Sequence, residues 1–304
     1  MPPIELLCIG NAMIDVFVSV NDSWLDGQGI TEPVQHISRE KAQQMLGELG
    51  GLGGIYVSGG AAANVAKIAA MLHTGTAFIG CVGPPEGPPG GPPSGGNDLA
   101  AVFEQDLRSA GAVPYLAIGT GRTGLCFIFS CGGETRIAAS PGAALELSGA
   151  DIREDLIAGA EAVVLDGYML DRRPFVQQTL QLANRRGIPV ALDVASVFQI
   201  QEKTEDILHY SRNYPLIIFM NADESIVFYD TIRKGAARPE AVSEREKEML
   251  ILREICPVLK CITEGEIFPI LVIKLGGRGV VVLAGGTVYH EETFTITPRN
   301  TIGA

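Results

Sequence analysis

Val57-Ser58-Gly59-Gly60-Ala61-Ala62-Ala63-Asn64-Val65-Ala66-Lys67 sets two adjacent glycines at the opening of an alanine-rich amphipathic helix. Glycine at such a place lets the backbone approach a ligand or change conformation, and a helix start offers unpaired N–H groups. Asn64 falls in the first turn, where its amide can bond a ligand hydroxyl. A plain loop-to-helix junction capped by glycine has the same local sequence, so the surrounding chain has to decide between the two.

Outward from this stretch, strand and helix patterns alternate. Short apolar, β-branched runs occur at Leu6 to Ile9, Ala77 to Val82, Cys126 to Ser130, Ala162 to Leu165, Val190 to Leu192, Leu216 to Met220, Leu271 to Lys274 and Val280 to Leu283. Between many of them lie helical stretches with apolar residues three to four apart: Ala61 to Leu72, Leu99 to Ser109, Arg173 to Arg186 and Glu244 to Ile255. Such alternation predicts an α/β fold with a mostly parallel central sheet flanked by helices. Continuously apolar strands fit it, because both faces of such a sheet are buried. Residues 16–37 and 115–137 have strands and turns with little helix, which predicts a small β-structured lid. Residues 84–96 (PPEGPPGGPPSGG) hold six prolines and five glycines in thirteen positions, and can sustain neither a helix nor a strand ladder. A linker-like insertion is expected there, and a proline-rich ligand for a partner domain is the alternative.

The composition excludes several functions. The 304 residues carry 23 Lys and Arg against 35 Asp and Glu, a formal charge of −12, with 46% apolar and 19% charged residues. Such a chain is too apolar and too weakly charged to be disordered. It is long enough to bury roughly three-quarters of its unfolded surface, so one large domain spanning 1–304 is expected. The acidic balance argues against nucleic-acid binding, whose affinity comes from Lys and Arg neutralising phosphates. No apolar run approaches the ~18 residues of a membrane span, and the opening Met1-Pro-Pro-Ile-Glu has no basic leader region. A cytoplasmic protein is expected. Cys8, Cys81, Cys126, Cys131, Cys256 and Cys261 sit in apolar contexts; two pairs have C-x4-C spacing, which matches no common zinc pattern. They read as reduced structural thiols. His36, His73, His209 and His290 are too dispersed for a histidine-based triad or zinc site.

Candidate chemistry gathers at strand ends, where open α/β sheets bind ligands. Gly10-Asn11-Ala12-Met13-Ile14-Asp15 follows the first strand, and Asp15 there either accepts from sugar hydroxyls or closes an Asx turn. After the strand ending at Met220, Asn221 and Glu224 stand three apart. They either organise a hydrated Mg²⁺ carried by a nucleotide or form a helix capping box. Lys274-Leu275-Gly276-Gly277-Arg278-Gly279 is either an ordinary hairpin or a turn against which a nucleotide lies. The terminal Asn300-Thr301-Ile302-Gly303-Ala304 has the small residues of an anion-binding helix start. There is no G-x-x-x-x-G-K-[ST] loop, no G-x-S-x-G and no G-x-G-x-x-G opening a βαβ unit. The glycine-rich segment 50–54 follows a helical stretch rather than a strand, against a dinucleotide site.

Taken in order, these segments resemble the ribokinase-like (PfkB) carbohydrate and nucleoside kinase family. Gly10-Asn11 with Asp15, Gly59-Gly60 with Asn64, Gly80-Cys81-Val82-Gly83, Thr123-Gly124, Gly133-Glu134-Thr135-Arg136, Asp166-Gly167-Tyr168, Asn221 with Glu224, Gly276 with Gly279, and Asn300 to Ala304 follow the family's order. The last looks like the start of its D-T-x-G-A-G-D signature. The resemblance implies ATP-dependent phosphorylation of a hydroxymethyl group on a sugar or nucleoside, with Mg²⁺. It implies that Asn11, Asp15, Gly59, Gly60 and Asn64 hold the substrate, and that the glycine pair hinges lid closure. Asn221, Glu224, Lys274, Gly276 and Gly279 would serve the nucleotide, with Glu224 reaching the metal through water. The amides of Gly303 and Ala304 would begin the anion hole.

Departures from the family pattern are specific. The catalytic aspartate of the signature falls two residues beyond Ala304, and Asn300 stands for its first Asp. Lys274 stands where many members have Thr, and segment 84–96 interrupts G-x-D-x-x-G, with Asn97 and Ala100 at the displaced positions. The G-N-x-x-x-D opening and the G-G-E-T-R turn lean toward the adenosine-kinase side of the family. The alternative is a non-catalytic sugar- or nucleoside-binding protein on the same fold; a nicotinamide-dependent dehydrogenase has only the α/β pattern behind it. A homodimer through the lid edge would follow from the tendency of exposed edges to be covered.

Overall fold

A computed structural model describes residues 3–49, 54–85, 98–233, 243–263 and 269–295. The chain packs as two compact units, Met1–Asp151 and Ile152–Ala304, where a single domain was the expectation.

The first unit contains β1 (Ile4–Ile9), β2 (Met13–Ser19), α1 (Asp22–Gln28), β3 (Val34–His36), α2 (Arg39–Leu49), β4 (Ile55–Gly59), α3 (Ala61–Met71), β5 (Thr76–Val82), α4 (Leu99–Ser109), β6 (Val113–Ile118), β7 (Gly124–Cys131) and β8 (Glu134–Ser140). β5 pairs in parallel with β1 on one side and β6 on the other. Every residue of β5 is buried, as a strand covered on both faces requires. A second, smaller sheet has the order β3-β8-β7-β2-β4. Its β2 lies parallel to β7 and antiparallel to β4. Phe127 and Phe129 stack within it at 5.9 Å, and Trp24 of α1 leans on Phe129 at 5.5 Å.

The lid segments differ in detail from the sequence reading. Tyr115–Ile118 run in β6, beside β5, and residues 22–28 form a helix capped by the Asn21 side chain on the Trp24 N–H at 2.9 Å. β4 joins the smaller sheet instead. Strand periodicity is the same whichever sheet a segment enters, so the pairing partner decides. α3 also inverts the usual pattern: Ala62, Ala63, Ala66 and Ala70 face inward while Val65, Ile68 and Met71 are exposed. Its small residues let the helix backbone lie close to β1 and β5.

The second unit contains α5 (Glu154–Gly159), β9 (Ala160–Asp166), α6 (Arg173–Arg185), β10 (Val190–Asp193), α7 (Val197–Asn213), β11 (Leu216–Asn221), α8 (Ala222–Arg233), α9 (Glu244–Leu250), α10 (Cys256–Leu259), β12 (Ile270–Lys274), β13 (Val280–Ala284) and β14 (Thr287–Glu291). β9, β10, β11 and β12 are parallel neighbours, and β13 and β14 continue the sheet antiparallel. The helix expected over 244–255 begins with a Ser243–Glu246 capping box and widens into a π-turn at Ile251–Ile255. Pro257 follows; a proline ring collides with the carbonyl four residues back, which favours the wider turn.

The fold class is therefore α/β, with mostly parallel strands flanked by helices and a smaller sheet. Among the described residues no helix is long and apolar enough to cross a membrane. No disulfide joins Cys8, Cys81, Cys126, Cys131 or Cys256 among the described residues. The expectations for most of the Pro/Gly segment (86–96), for Asn97, for 50–53 and for the terminal motif with Gly303 and Ala304 lie outside the described residues.

Candidate active site

In the first unit, the turn after β1 buries Asn11, and β2 carries Asp15 opposite Val57 of β4 and Cys126 of β7. β4 ends at Gly59, and Gly60 caps α3 with φ +100°. The close approach expected of the two glycines is real, and the groups that approach belong to the chain itself. A Cβ on Gly59 would lie 2.5 Å from Asp15 Oδ2 and closer still to the rest of that carboxylate. A Cβ on Gly60 would fall on the Asn11 carbonyl. The glycine pair thus makes room for two of the residues expected to bind substrate. Asn64 is half-buried in the first turn of α3, its N–H donating to the Gly60 carbonyl at 2.9 Å.

Burial pushes the Asp15 carboxyl up to about 6, against the attraction of Lys67 and a hydrogen bond from the Cys126 thiol. The same burial, with the charge of Asp15, pushes the Cys126 thiol up to about 12. Such a carboxylate is costly when ionised and gains from any donor brought to it. Behind the glycine turn, Lys67 Nζ donates to the Ser58 carbonyl at 2.5 Å and lies 3.8 Å from Asp106 Oδ2. Asp106 Oδ2 accepts from the Ser58 N–H at 2.8 Å and hydroxyl at 2.7 Å. Sequence reasoning gives Lys67, Ser58 and Asp106 no role, and Cys126 only that of a structural thiol. A lone lysine within an alanine-rich helix is the signal for the first; the others are visible only through strand and helix packing.

In the second unit, β10, β11 and β12 end at Asp193, Asn221 and Lys274, with Asn221 in register with Lys274. The alternative reading of Asn221 and Glu224 is the one realised locally. The Asn221 N–H donates to Glu224 Oε2 at 2.6 Å, and the Glu224 N–H donates to Asn221 Oδ1 at 2.9 Å. Glu224 is only 5% exposed. Burial raises its pKa, opposed by the Asn221 N–H; Asp193 raises it further and Lys274 lowers it. Lys274 Nζ is paired with Asp193 Oδ2 at 3.1 Å, and Asp193 Oδ1 accepts the Ala195 N–H at 2.9 Å. Ala195 itself holds φ +70°, a left-handed conformation that an alanine adopts only at a cost. Asp193 is a residue that sequence reasoning missed; an aspartate closing the apolar Val190-Ala191-Leu192 run at a strand's carboxyl end is the available signal.

The glycines after Lys274 form a hairpin turn between β12 and β13, closed by the Leu275 N–H on the Gly279 carbonyl at 2.8 Å. Gly279 has φ +95° and its absent Cβ is replaced by the Glu291 carbonyl of β14, whereas Gly276 faces open space. Gly279 is therefore required by its own sheet. Among the described residues no group of three or more His, Cys, Asp or Glu could cage a metal ion. The neighbouring Asp193 and Glu224 carboxylates with the Asn221 amide fit a Mg²⁺ that arrives with a nucleotide and keeps its water ligands.

Residues 54–304 match the family described as pfkB family carbohydrate kinase. Guanosine-inosine kinase of Escherichia coli (strain K12) is 31% identical over 118 residues, a stretch that takes in 36% of this chain and only 27% of that relative. Among solved structures, a probable sugar kinase protein from Rhizobium etli CFN 42 superposes with a TM-score of 0.75 at 22% identity, covering 97% of this chain and 81% of that one. Adenosine kinase from Sinorhizobium meliloti gives 0.75 at 21% identity, covering 97% and 82%. At those identities the two structures establish a shared fold. The family match covers most of the chain and includes the Gly59–Gly60 turn, Asn64 and the Asn221–Glu224 pair: the chain belongs to the pfkB family of carbohydrate kinases.

Proposed function

We propose that this chain carries the phosphoryl-transfer activity of its family toward a nucleoside, with MgATP as donor. The observation that carries the reading is the seating of Asp15. A carboxylate costly to ionise lies against the glycine turn that opens α3, with Asn11 and Asn64 on the flanking segments. That arrangement suits recognition of ribose hydroxyls, which donate to the carboxylate while the amides donate and accept in turn. The choice of a nucleoside over a simple sugar is supported by the relative named guanosine-inosine kinase and by the Gly133-Glu134-Thr135-Arg136 turn.

In this reading Asn11, Asp15, Gly59, Gly60 and Asn64 bind and orient the acceptor, and Asn221, Glu224, Lys274 and Gly276 serve the donor. Lys274 would neutralise nucleotide phosphates, released for that purpose from Asp193. Asp193 and Glu224 would hold water ligands of the metal, whose chemistry is to bridge and neutralise phosphate oxygens. Gly276 leaves space for the nucleotide beside the hairpin. The acceptor's hydroxymethyl oxygen forms the new bond to the γ-phosphorus as the bond to the bridging oxygen of ADP breaks. The hydroxyl proton would pass to a base, the role that the resemblance gives to the aspartate expected after Gly303-Ala304. Phosphoryl transfer depends mostly on such positioning and charge neutralisation. The reading carries with it the expectations of a cytoplasmic enzyme and of a homodimer.

Calorimetric titration with adenosine, guanosine, inosine and ribose, followed by ADP release from MgATP, tests the proposal. One nucleoside should bind at one per chain, and Asp15→Ala should weaken that binding by at least about tenfold through lost hydroxyl contacts. Binding of none of the four would overturn it. Binding without ADP release would favour the non-catalytic alternative.

A further inference from the structure

We infer that Lys67 is a positioning residue, which ties the strand end before the Gly59–Gly60 turn to α3 and α4 and supplies the positive charge that keeps Asp15 ionised for substrate. The inference rests on the reading of Asp15 as a ligand for substrate hydroxyls.

Three observations converge on it. Lys67 Nζ donates to the carbonyl of Ser58, the residue immediately before the glycine pair. Asp106 of α4 holds the same residue by its N–H and its hydroxyl, and lies 3.8 Å from the ammonium group. Ser58 is 1% exposed, so all three of its polar groups are satisfied inside the protein by Lys67 and Asp106. The strand end is thus gripped on both of its backbone polar groups, and the turn after it is the one that receives Asp15 and Asn11. Without Lys67, the Ser58 carbonyl would be a buried acceptor lacking its donor, a costly state.

The electrostatic half concerns Asp15. The charged or titratable groups facing it are Lys67 from α3 and the Cys126 thiol from β7, with Asp106 of α4 acting through Lys67; β4 presents Val57 and the backbone of Ser58 and Gly59. Lys67 is the one cation of this set. Burial works against its own charge, and Asp106 and Asp15 restore it. A half-buried lysine between two aspartates has little freedom to leave, so its field at Asp15 is fixed by packing. An opposite charge that acts on a buried carboxylate favours its ionised form, and about one pK unit of such help is equivalent to about tenfold in the ionised fraction.

Two variants separate the two halves. Lys67→Met removes the charge and the donor; Lys67→Gln removes the charge and keeps a side chain able to donate. Lys67→Arg is the conservative rescue. The readout that needs no ligand is the titration of Asp15 in the full chain, followed by carboxyl ¹³C NMR and assigned with Asp15→Asn. The midpoint should rise by about one pH unit in both Lys67→Met and Lys67→Gln and return in Lys67→Arg. In parallel, the acid limb of nucleoside binding should move to higher pH by the same amount, with affinity above pH 8 restored in Lys67→Gln. An Asp15 midpoint unmoved in Lys67→Gln overturns the inference, whether or not any nucleoside binds. A shifted midpoint in a protein that binds none of the nucleosides upholds the inference on Lys67 and discards the substrate reading instead.

Discussion

Gly59→Ala is the sharpest test of how the site is built. Gly59 does not hold a left-handed backbone, so alanine meets no conformational strain there, and the whole cost comes from one added methyl group. That methyl would sit 2.5 Å from Asp15 Oδ2, where ordinary contact begins at 3.4 Å, so even the most distant carboxylate atom must retreat by about 0.9 Å. Overpacking of this kind costs about 1–3 kcal/mol. A substrate-positioning group displaced by about 1 Å loses up to about a hundredfold in its effect. An Asp15→Ala background removes the three atoms nearest to that methyl. There the same substitution should cost less by at least about 1 kcal/mol, helped by the lower entropy that alanine gives the unfolded chain. The penalty therefore depends on the background. Urea unfolding followed by the fluorescence of Trp24, the sole tryptophan, reports on this unit because that ring packs on Phe129. A double-mutant cycle should give a coupling of at least about 1 kcal/mol. Equal destabilisation in both backgrounds would refute the packing argument.

Two further outcomes follow from the same geometry. Burial pushes the Asp15 carboxyl up to about 6 from an ordinary value of 3.8, so that burial costs nothing below 3.8. Stability is lost as pH rises from there through 6, because the folded state must then carry the charge; Asp15→Asn should remove about 1–3 kcal/mol of that loss. Urea midpoints at pH 4, 5, 6 and 7 check this, and parallel profiles for the two proteins would contradict it. At the β12–β13 hairpin, Gly279→Ala drives a methyl into the Glu291 carbonyl from a φ of +95° and should cost more than about 2 kcal/mol. Gly276→Asn, at φ +57° with open space around it, should cost less than about 1 kcal/mol; thermal melts that rank the two the other way would show the hairpin to be differently built.

The sequence alone determined the alternation of strands and helices, because apolar periodicity is local: Ala77 to Val82 reads as a doubly covered strand and Leu99 to Ser109 as an amphipathic helix from their own residues. It also determined which residues deserved attention, since the glycine pair, Asn64, Asp15 and the Asn221–Glu224 spacing stand in an order the family shares. Sheet membership was beyond it. Tyr115–Ile118 has the period of a strand in either sheet, and only pairing with β5 assigns it. The contents of the site were also beyond it. Local sequence offers Asn221 and Glu224 as metal ligands or as a cap, and the structure closes the cap while leaving Glu224 beside Asp193. That Gly59 exists to admit Asp15, and that Lys67 serves Ser58 and Asp106, depends on the register of β2 between β4 and β7 and on the packing of α3 and α4. These contacts join residues 9 to 48 positions apart in the chain. Propensity and spacing act over one or two turns, whereas a buried charge finds its partners only when distant segments fold together.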